Sequence, residues 1–111
     1  MSEEFTHATS EGHNGWTIWQ VIGRIDVATA DEAYASGEEI VKGNEKIAID
    51  LSTLEYISSA GLRVILRLNK LAKKSGHKLT VCGAYGMVKS VLKDSGMDVL
   101  LAAKESLDEL S

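Results

Sequence analysis

Apolar and polar positions along the chain switch repeatedly between a period of two and a period of three to four, which predicts strands alternating with helices. Residues 5–10 form a weakly marked first edge strand. Asn14-Gly15 is a hairpin turn signal leading into residues 16–24, apolar on both faces and so predicted as a central strand. Gly23-Arg24-Ile25-Asp26 closes that strand. Thr29, with Glu32 three residues on, reads as a capping box, and Asp31 and Glu32 suit a first turn. The helix it opens carries Ala30, Ala33, Tyr34, Gly37, Ile40 and Val41 at helical spacing, with Gly43 as its stop. Residues 46–51 are a short apolar strand, and residues 52–57 read as a loop. A helix starting at Ser58 or Ser59 follows, with Leu62, Ile65, Leu66, Leu68 and Ala72 inward and Ser75-Gly76 ending it. Residues 78–82 are the next strand. Residues 87–95 form a helix with Val88, Val91 and Leu92 inward and Gly96 as its stop. Residues 98–102 are predicted as a last short strand, and Ser106 with Glu109 as a capping box opening a terminal helix.

Strand–helix–strand units of this length imply right-handed crossovers and a parallel core, with the first hairpin adding an antiparallel edge. The expected fold is therefore α/β, a mixed but mostly parallel sheet of four to five strands packed with about four helices. No proline, low-complexity segment or internal repeat marks a linker, so residues 1–111 are expected to form one domain. A globular 12.0 kDa chain buries roughly two thirds of its unfolded surface.

Composition narrows the function classes. At 44% apolar and 25% charged residues the chain is an ordinary globular one. A net charge of -4 and a pI near 5.3 argue against sequence-independent binding to nucleic acid or to an anionic membrane. The cluster Lys70, Lys73 and Lys74 falls at the end of a predicted helix and reads as a dipole-compatible, solvated face. The single cysteine, Cys82, excludes an internal disulfide and lies in an apolar run, as a buried structural thiol does. The acidic start, with no apolar stretch behind it, predicts no secretory leader, and no run approaches the ~20 apolar residues of a membrane span. A cytoplasmic location is expected.

Recognisable catalytic chemistry is missing. His7, His13 and His77 have no metal-ligand spacing with one another or with Cys82, so no metal site is expected. There is no phosphate-cradling GxxxxGK[ST], and no GxGxxG after a strand. Ser58-Ser59-Ala60-Gly61 is not a nucleophile elbow. No catalytic residue and no cofactor is predicted.

Asp50 to Leu62 joins a strand to a helix at the carboxyl end of a parallel strand, where open α/β sheets place their binding sites. From local chemistry alone, Ser58 and Ser59 read as helix-capping residues, a cap contributing about 1 kcal/mol. The segment also resembles the signature of the STAS family, the domain of bacterial anti-sigma-factor antagonists, in which a D-[ST]-x-G-L-like or S-S-A-G-L sequence opens the second helix. Gly23-Arg24-Ile25-Asp26 is similar to the family's G-x-[LI]-D, and residues 46–51 to its apolar third strand. Residues 81–89 with Ser95-Gly96-Met97 are similar to its fourth strand and third helix. The resemblance covers about residues 14–110, in order and in spacing.

The resemblance implies a STAS-like fold and a non-enzymatic, protein-binding role. The phosphorylated serine of regulated members lies two positions before the motif glycine, which here is Gly61, and so falls on Ser59. Ser58 stands where several antagonists carry an acidic residue and is the second candidate. Gly86 replaces the proline that often opens the third helix. By resemblance, Asp26, Ser58, Ser59, Ala60, Gly61, Leu62 and Arg63 would contact the partner. That partner would be an anti-sigma factor of the serine-kinase type, and a PP2C-like serine phosphatase would reverse the modification. The nucleotide would belong to the kinase. Two other readings remain: a STAS scaffold subunit that works without a phosphorylation cycle, and a small-ligand or enzymatic site at the same loop. Burial of Ser59 would count against the first reading, and a concave pocket with converging polar groups would favour the last.

Overall fold

Strand β1 (Phe5–Glu11) runs antiparallel to β2 (Thr17–Ile25); β2 is parallel to β3 (Lys46–Ile57), and β3 to β4 (Lys78–Cys82). The sheet order is β1-β2-β3-β4 in this computed structural model, which describes residues 5–111. The acidic start, on which the expectation of no secretory leader rests, lies outside the described residues. The Asn14-Gly15 signal is realised as a turn. Both residues take positive φ, 60° and 84°, the backbone region that glycine and asparagine enter at least cost.

Side-chain alternation along the strands separates two apolar clusters. Trp19, Val21, Ile47, Ile49 and Val81 face the helices α1 (Ala30–Gly43), α2 (Ser59–Lys74), α3 (Gly86–Ser95) and α4 (Met97–Leu100) in the main core. On the opposite face Trp16, Ile18, Ala48 and Cys82 form a smaller cluster, closed by Leu107 and Leu110 of the C-terminal segment. Helix α1 reaches α2 and the sheet through Gly37, where a Cβ would stand 2.6 Å from Leu68 Cδ1 and 2.8 Å from the Trp19 ring. Cys82 is buried as expected, and burial pushes its thiol up to about 12, which keeps it in the unreactive form at neutral pH. Among the described residues no helix is long and apolar enough to cross a membrane.

The C-terminal ends of α2 and α3 agree with their sequence signals. Gly76 (φ 76°) follows α2, with Gly76 N–H donating to Lys73 O and His77 N–H to Ala72 O. Those two bonds make the left-handed C-terminal motif in which glycine is favoured. Gly96 (φ 79°) closes α3 in the same backbone region.

Five local expectations are corrected. Residues 52–57 are strand, not loop. Register shifts between Gln20 and Ile22 and between Gly23 and Arg24 put bulges in the β2–β3 pairing. Burial therefore falls on Leu51, Leu54 and Ile57, every third residue, and the period of two is lost. Thr29 forms no capping box. Its buried hydroxyl donates to Arg24 O (3.0 Å) and accepts from Asp26 N–H (2.9 Å), so it braces the turn before α1. Gly43 does not stop α1 by a left-handed turn; Asn44 turns extended and its Nδ2 donates to Ile40 O at 2.9 Å. Residues 98–102 are not a strand, because Met97 and Leu101, four apart, are the buried pair and that spacing is helical. Only Lys104 bridges to the sheet there, beside Cys82. The terminal helix is a single 3-10 turn, Leu107–Glu109, without a Ser106 cap. Its buried or half-buried Leu107 and Leu110 are three apart, which suits that tighter turn.

Candidate functional site

The bulges that disguise β3 carry its end level with the end of β2, pairing Ile57 with Ile25. Ser58 N–H then donates to Ile25 O (3.0 Å), turning the chain into α2. Ser58 is the N-cap, in extended backbone, and its Oγ accepts from Gly61 N–H at 3.3 Å. Gly61 is buried directly against the end of β2: a Cβ there would lie 2.6 Å from Ile25 O and 2.6 Å from Ile57 Cγ1. Only a glycine lets the helix start this close to the strand.

The two serines are thereby separated in role. Ser58 is half-buried and committed to the cap, whereas Ser59 is exposed at the first helical position, with no hydrogen bond to its hydroxyl among the described residues. No acidic residue occupies the first turn of this 16-residue helix, so the partial positive charge of its free amides is unopposed there.

Asp26 works on the neighbouring turn. Its carboxylate accepts from Arg24 Nε (3.0 Å) and from the amides of Ala28 (3.0 Å) and Thr29 (3.2 Å). The Arg24 guanidinium also lies 4.4 Å from the Tyr56 ring centroid. The Arg24 hydrogen bond, helped by the two amides and opposed by desolvation, holds the Asp26 carboxyl below its ordinary 3.8. A lowered folded-state value means that the contribution to stability is present above about pH 4 and is lost as pH falls further. Asp26→Asn is therefore expected to flatten the acid limb of the stability curve below about pH 4. Urea midpoints measured at half-unit pH steps check this; an unchanged limb would remove Asp26 from the account.

With Asp26 holding the turn, Val27 stands out from it at 82% exposure. Val27, Ala30 and Asp31 form one wall of a surface groove, and Ala60, Arg63, Val64 and Arg67 of α2 form the other. Arg67 is stacked 3.9 Å over the Tyr34 ring, while Arg63 is exposed.

Of the residues expected to contact a partner, Ser59, Ala60 and Arg63 thus share the open surface at the start of α2. Ser58 and Asp26 are half-buried in the cap and the turn, Leu62 packs against the core, and Gly61 is covered. Val27, Asp31 and Arg67 are groove residues that the sequence did not single out. Single exposed apolar residues are ordinary on protein surfaces, so Val27 carries no signal in isolation. The histidines serve local structure: His7 Nδ1 accepts from Trp19 Nε1, and the rings of His13 and His77 bond the carbonyls of Leu110 and Val41. No group of three His, Cys, Asp or Glu side chains is placed to hold a metal among the described residues.

Comparison with known proteins bears on this arrangement. The STAS domain family model matches residues 7–110. BtrV of Bordetella bronchiseptica, a protein named as an anti-sigma factor antagonist, is 33% identical over 89 residues, which are 79% of this chain and 77% of BtrV. The crystal structure of an anti-sigma factor antagonist from Mycobacterium paratuberculosis superposes with a TM-score of 0.85 at 23% identity, covering 98% of this chain and 92% of that one. Bacillus SpoIIAA, also an anti-sigma factor antagonist, is similar in its unphosphorylated form (TM-score 0.74, 12% identity, 94% of this chain and 91% of that one). Its phosphorylated form is similar too (TM-score 0.68, 12% identity, 94% and 95%). At such identities the structural likenesses show a shared fold.

Proposed function

The chain belongs to the STAS domain family, and from that premise we propose that it is an anti-sigma-factor antagonist whose hold on a serine-kinase anti-sigma factor is switched by phosphorylation of Ser59. Unmodified, it sequesters the anti-sigma factor and so frees a sigma factor. The kinase transfers the γ-phosphoryl group of ATP to Ser59 Oγ, ADP leaves, and the hydroxyl proton passes to a base on the kinase. A PP2C-like phosphatase hydrolyses the ester and restores the free hydroxyl. The nucleotide belongs to the partner.

The observation that carries this reading is the division of labour between the two serines. Ser58 caps the helix, which leaves the Ser59 hydroxyl exposed and unengaged beside the groove. A phosphate on Ser59 would leave the Ser58 cap in place, whereas one on Ser58 would compete with it. Supporting this, SpoIIAA has the same fold with and without its phosphate, so the architecture tolerates such a group.

The test is to incubate the chain with ATP and the serine-kinase anti-sigma factor encoded nearest to it, and to locate phosphate by mass spectrometry. One phosphate on Ser59, none on the Ser59→Ala chain, and removal by a PP2C-type phosphatase are the expected results. No incorporation, with wild type, Ser59→Ala and Ser59→Asp forming equally tight complexes, would transfer the chain to the scaffold reading.

A further inference from the structure

Arg63 follows Ser59 by four residues in α2, and residues so spaced are neighbours on one side of a helix. Helical side chains lean towards the N-terminus, so the stem of Arg63 lies over the turn that Ser59 opens. Arg63 is exposed, and among the described residues no ion pair, hydrogen bond or aromatic contact engages it. The other two arginines are occupied: Arg24 by Asp26 and Tyr56, Arg67 by Tyr34. Of the acidic groups nearby, Asp26 is held by Arg24 and two backbone amides, and Asp31 lines the facing wall of the groove. No acidic side chain lies in the first turn of α2 to compete for Arg63.

From this placement we infer that Arg63 is the phosphate-positioning residue of the switch: it folds back onto a phosphate at Ser59 and leaves the groove in doing so. The inference rests on Ser59 being the modified residue. Its planar fork of N–H donors matches phosphate oxygens, a fit that a lysine ammonium lacks. Modification then has two consequences at one place. It sets a dianion at the start of α2, and it withdraws one of two cations from the α2 wall, where Ala60, Val64 and the Tyr34-stacked Arg67 remain. One guanidinium offsets only part of the phosphate charge, and it holds the group against its own helix, which lets the domain carry it without rearrangement.

The experiment places phosphoserine at position 59 during translation, by suppression of a stop codon, so that no kinase is needed. The second ionisation of the phosphate is then followed by phosphorus NMR. An adjacent cation favours the dianion, so the midpoint with Arg63 is expected about 0.2–0.4 of a unit below that of Arg63→Gln. Arg63→Lys recovers part of the difference, Arg67→Gln none of it, and 1 M salt shrinks it, as for any exposed pair. Circular dichroism confirms that each variant is folded. Equal midpoints in the arginine and glutamine proteins, or an equal rise from Arg67→Gln, overturn the assignment. A failed kinase assay on the natural chain would instead overturn Ser59 as the switch and leave the NMR result standing.

Discussion

Phosphorylation of Ser59 is expected to weaken the complex with the anti-sigma factor by about a thousandfold while leaving the domain folded. A thousandfold change corresponds to ~4 kcal/mol. The phosphate brings about 1.5 to 2 negative charges at neutral pH to an exposed position. In the free chain the unopposed amides at the start of α2 favour that charge, by ~0.3–1 kcal/mol for a helix terminus. In the complex the same group would lie against a partner surface, stripped of water, with Arg63 offsetting only part of its charge, and an incompletely paired buried charge costs several kcal/mol. The asymmetry between the two states is the switch. Titration calorimetry on chain phosphorylated to completion measures the loss, and a thermal scan measures the fold. The melting temperature should stay level or rise by a few degrees, since about 1 kcal/mol moves a domain of this size by roughly 4–8 °C. Ser59→Asp, with one charge on a shorter stem, should lose only about ten- to a hundredfold. Phosphorylated chain that binds within about threefold of the unmodified form would sink the idea, and so would loss of binding that follows loss of the fold.

How the site was legible follows from how locally it is specified. Ser58, Ser59 and Gly61 sit within four residues, so the cap and the candidate phosphorylation position can be read from one short string, whereas the close approach of Gly61 to the end of β2 appears only in the fold. The groove beside them is different. Val27 and Asp31 come from one strand–helix turn, while Arg63 and Arg67 come from a helix thirty residues on, and nothing in either segment announces the other. The same contrast runs through the fold. Helices α1, α2 and α3 were legible because each buries one stripe against a single sheet face. The second half of β3 was not, because a bulge is a property of two strands and appears in neither alone. Thr29 misled for a related reason. Its hydroxyl had two backbone groups within reach, the carbonyl of Arg24 and the amide of Asp26, and the turn between β2 and α1 secured both before the helix could. At the C-terminus both predicted elements failed, because short segments are shaped by the surface they cover. Leu107 and Leu110 are drawn onto Trp16 and Ile18, and a single 3-10 turn reaches that patch.

Gly61 gives the sharpest test of the way strand and helix meet. Replacing it by alanine is expected to cost about 2 kcal/mol of stability, although alanine normally favours a helix over glycine by up to ~1 kcal/mol. The added methyl would stand 2.6 Å from Ile25 O and 2.6 Å from Ile57 Cγ1. Ile57 is a fully buried core residue and Ile25 O is backbone, so neither can yield freely. The start of α2 must lift, which strains the Ser58 N–H bond to the same Ile25 carbonyl and the Ser58 cap with it. Overpacking of this kind costs ~1–3 kcal/mol, and a lost cap adds about 1, against which the propensity gain is the smaller effect. Gly43 supplies the opposite case within the same chain. It lies at the end of α1 with ordinary helical backbone, and nothing stands within 4 Å of a Cβ built there. Gly43→Ala should therefore stabilise, by about 0.5–1 kcal/mol. Urea midpoints for the two variants should move in opposite directions from the parent. If Gly61→Ala moved with Gly43→Ala, the strand end would not be the floor on which α2 rests. The position of Ser59 would then need another explanation than the contact between Gly61 and Ile25.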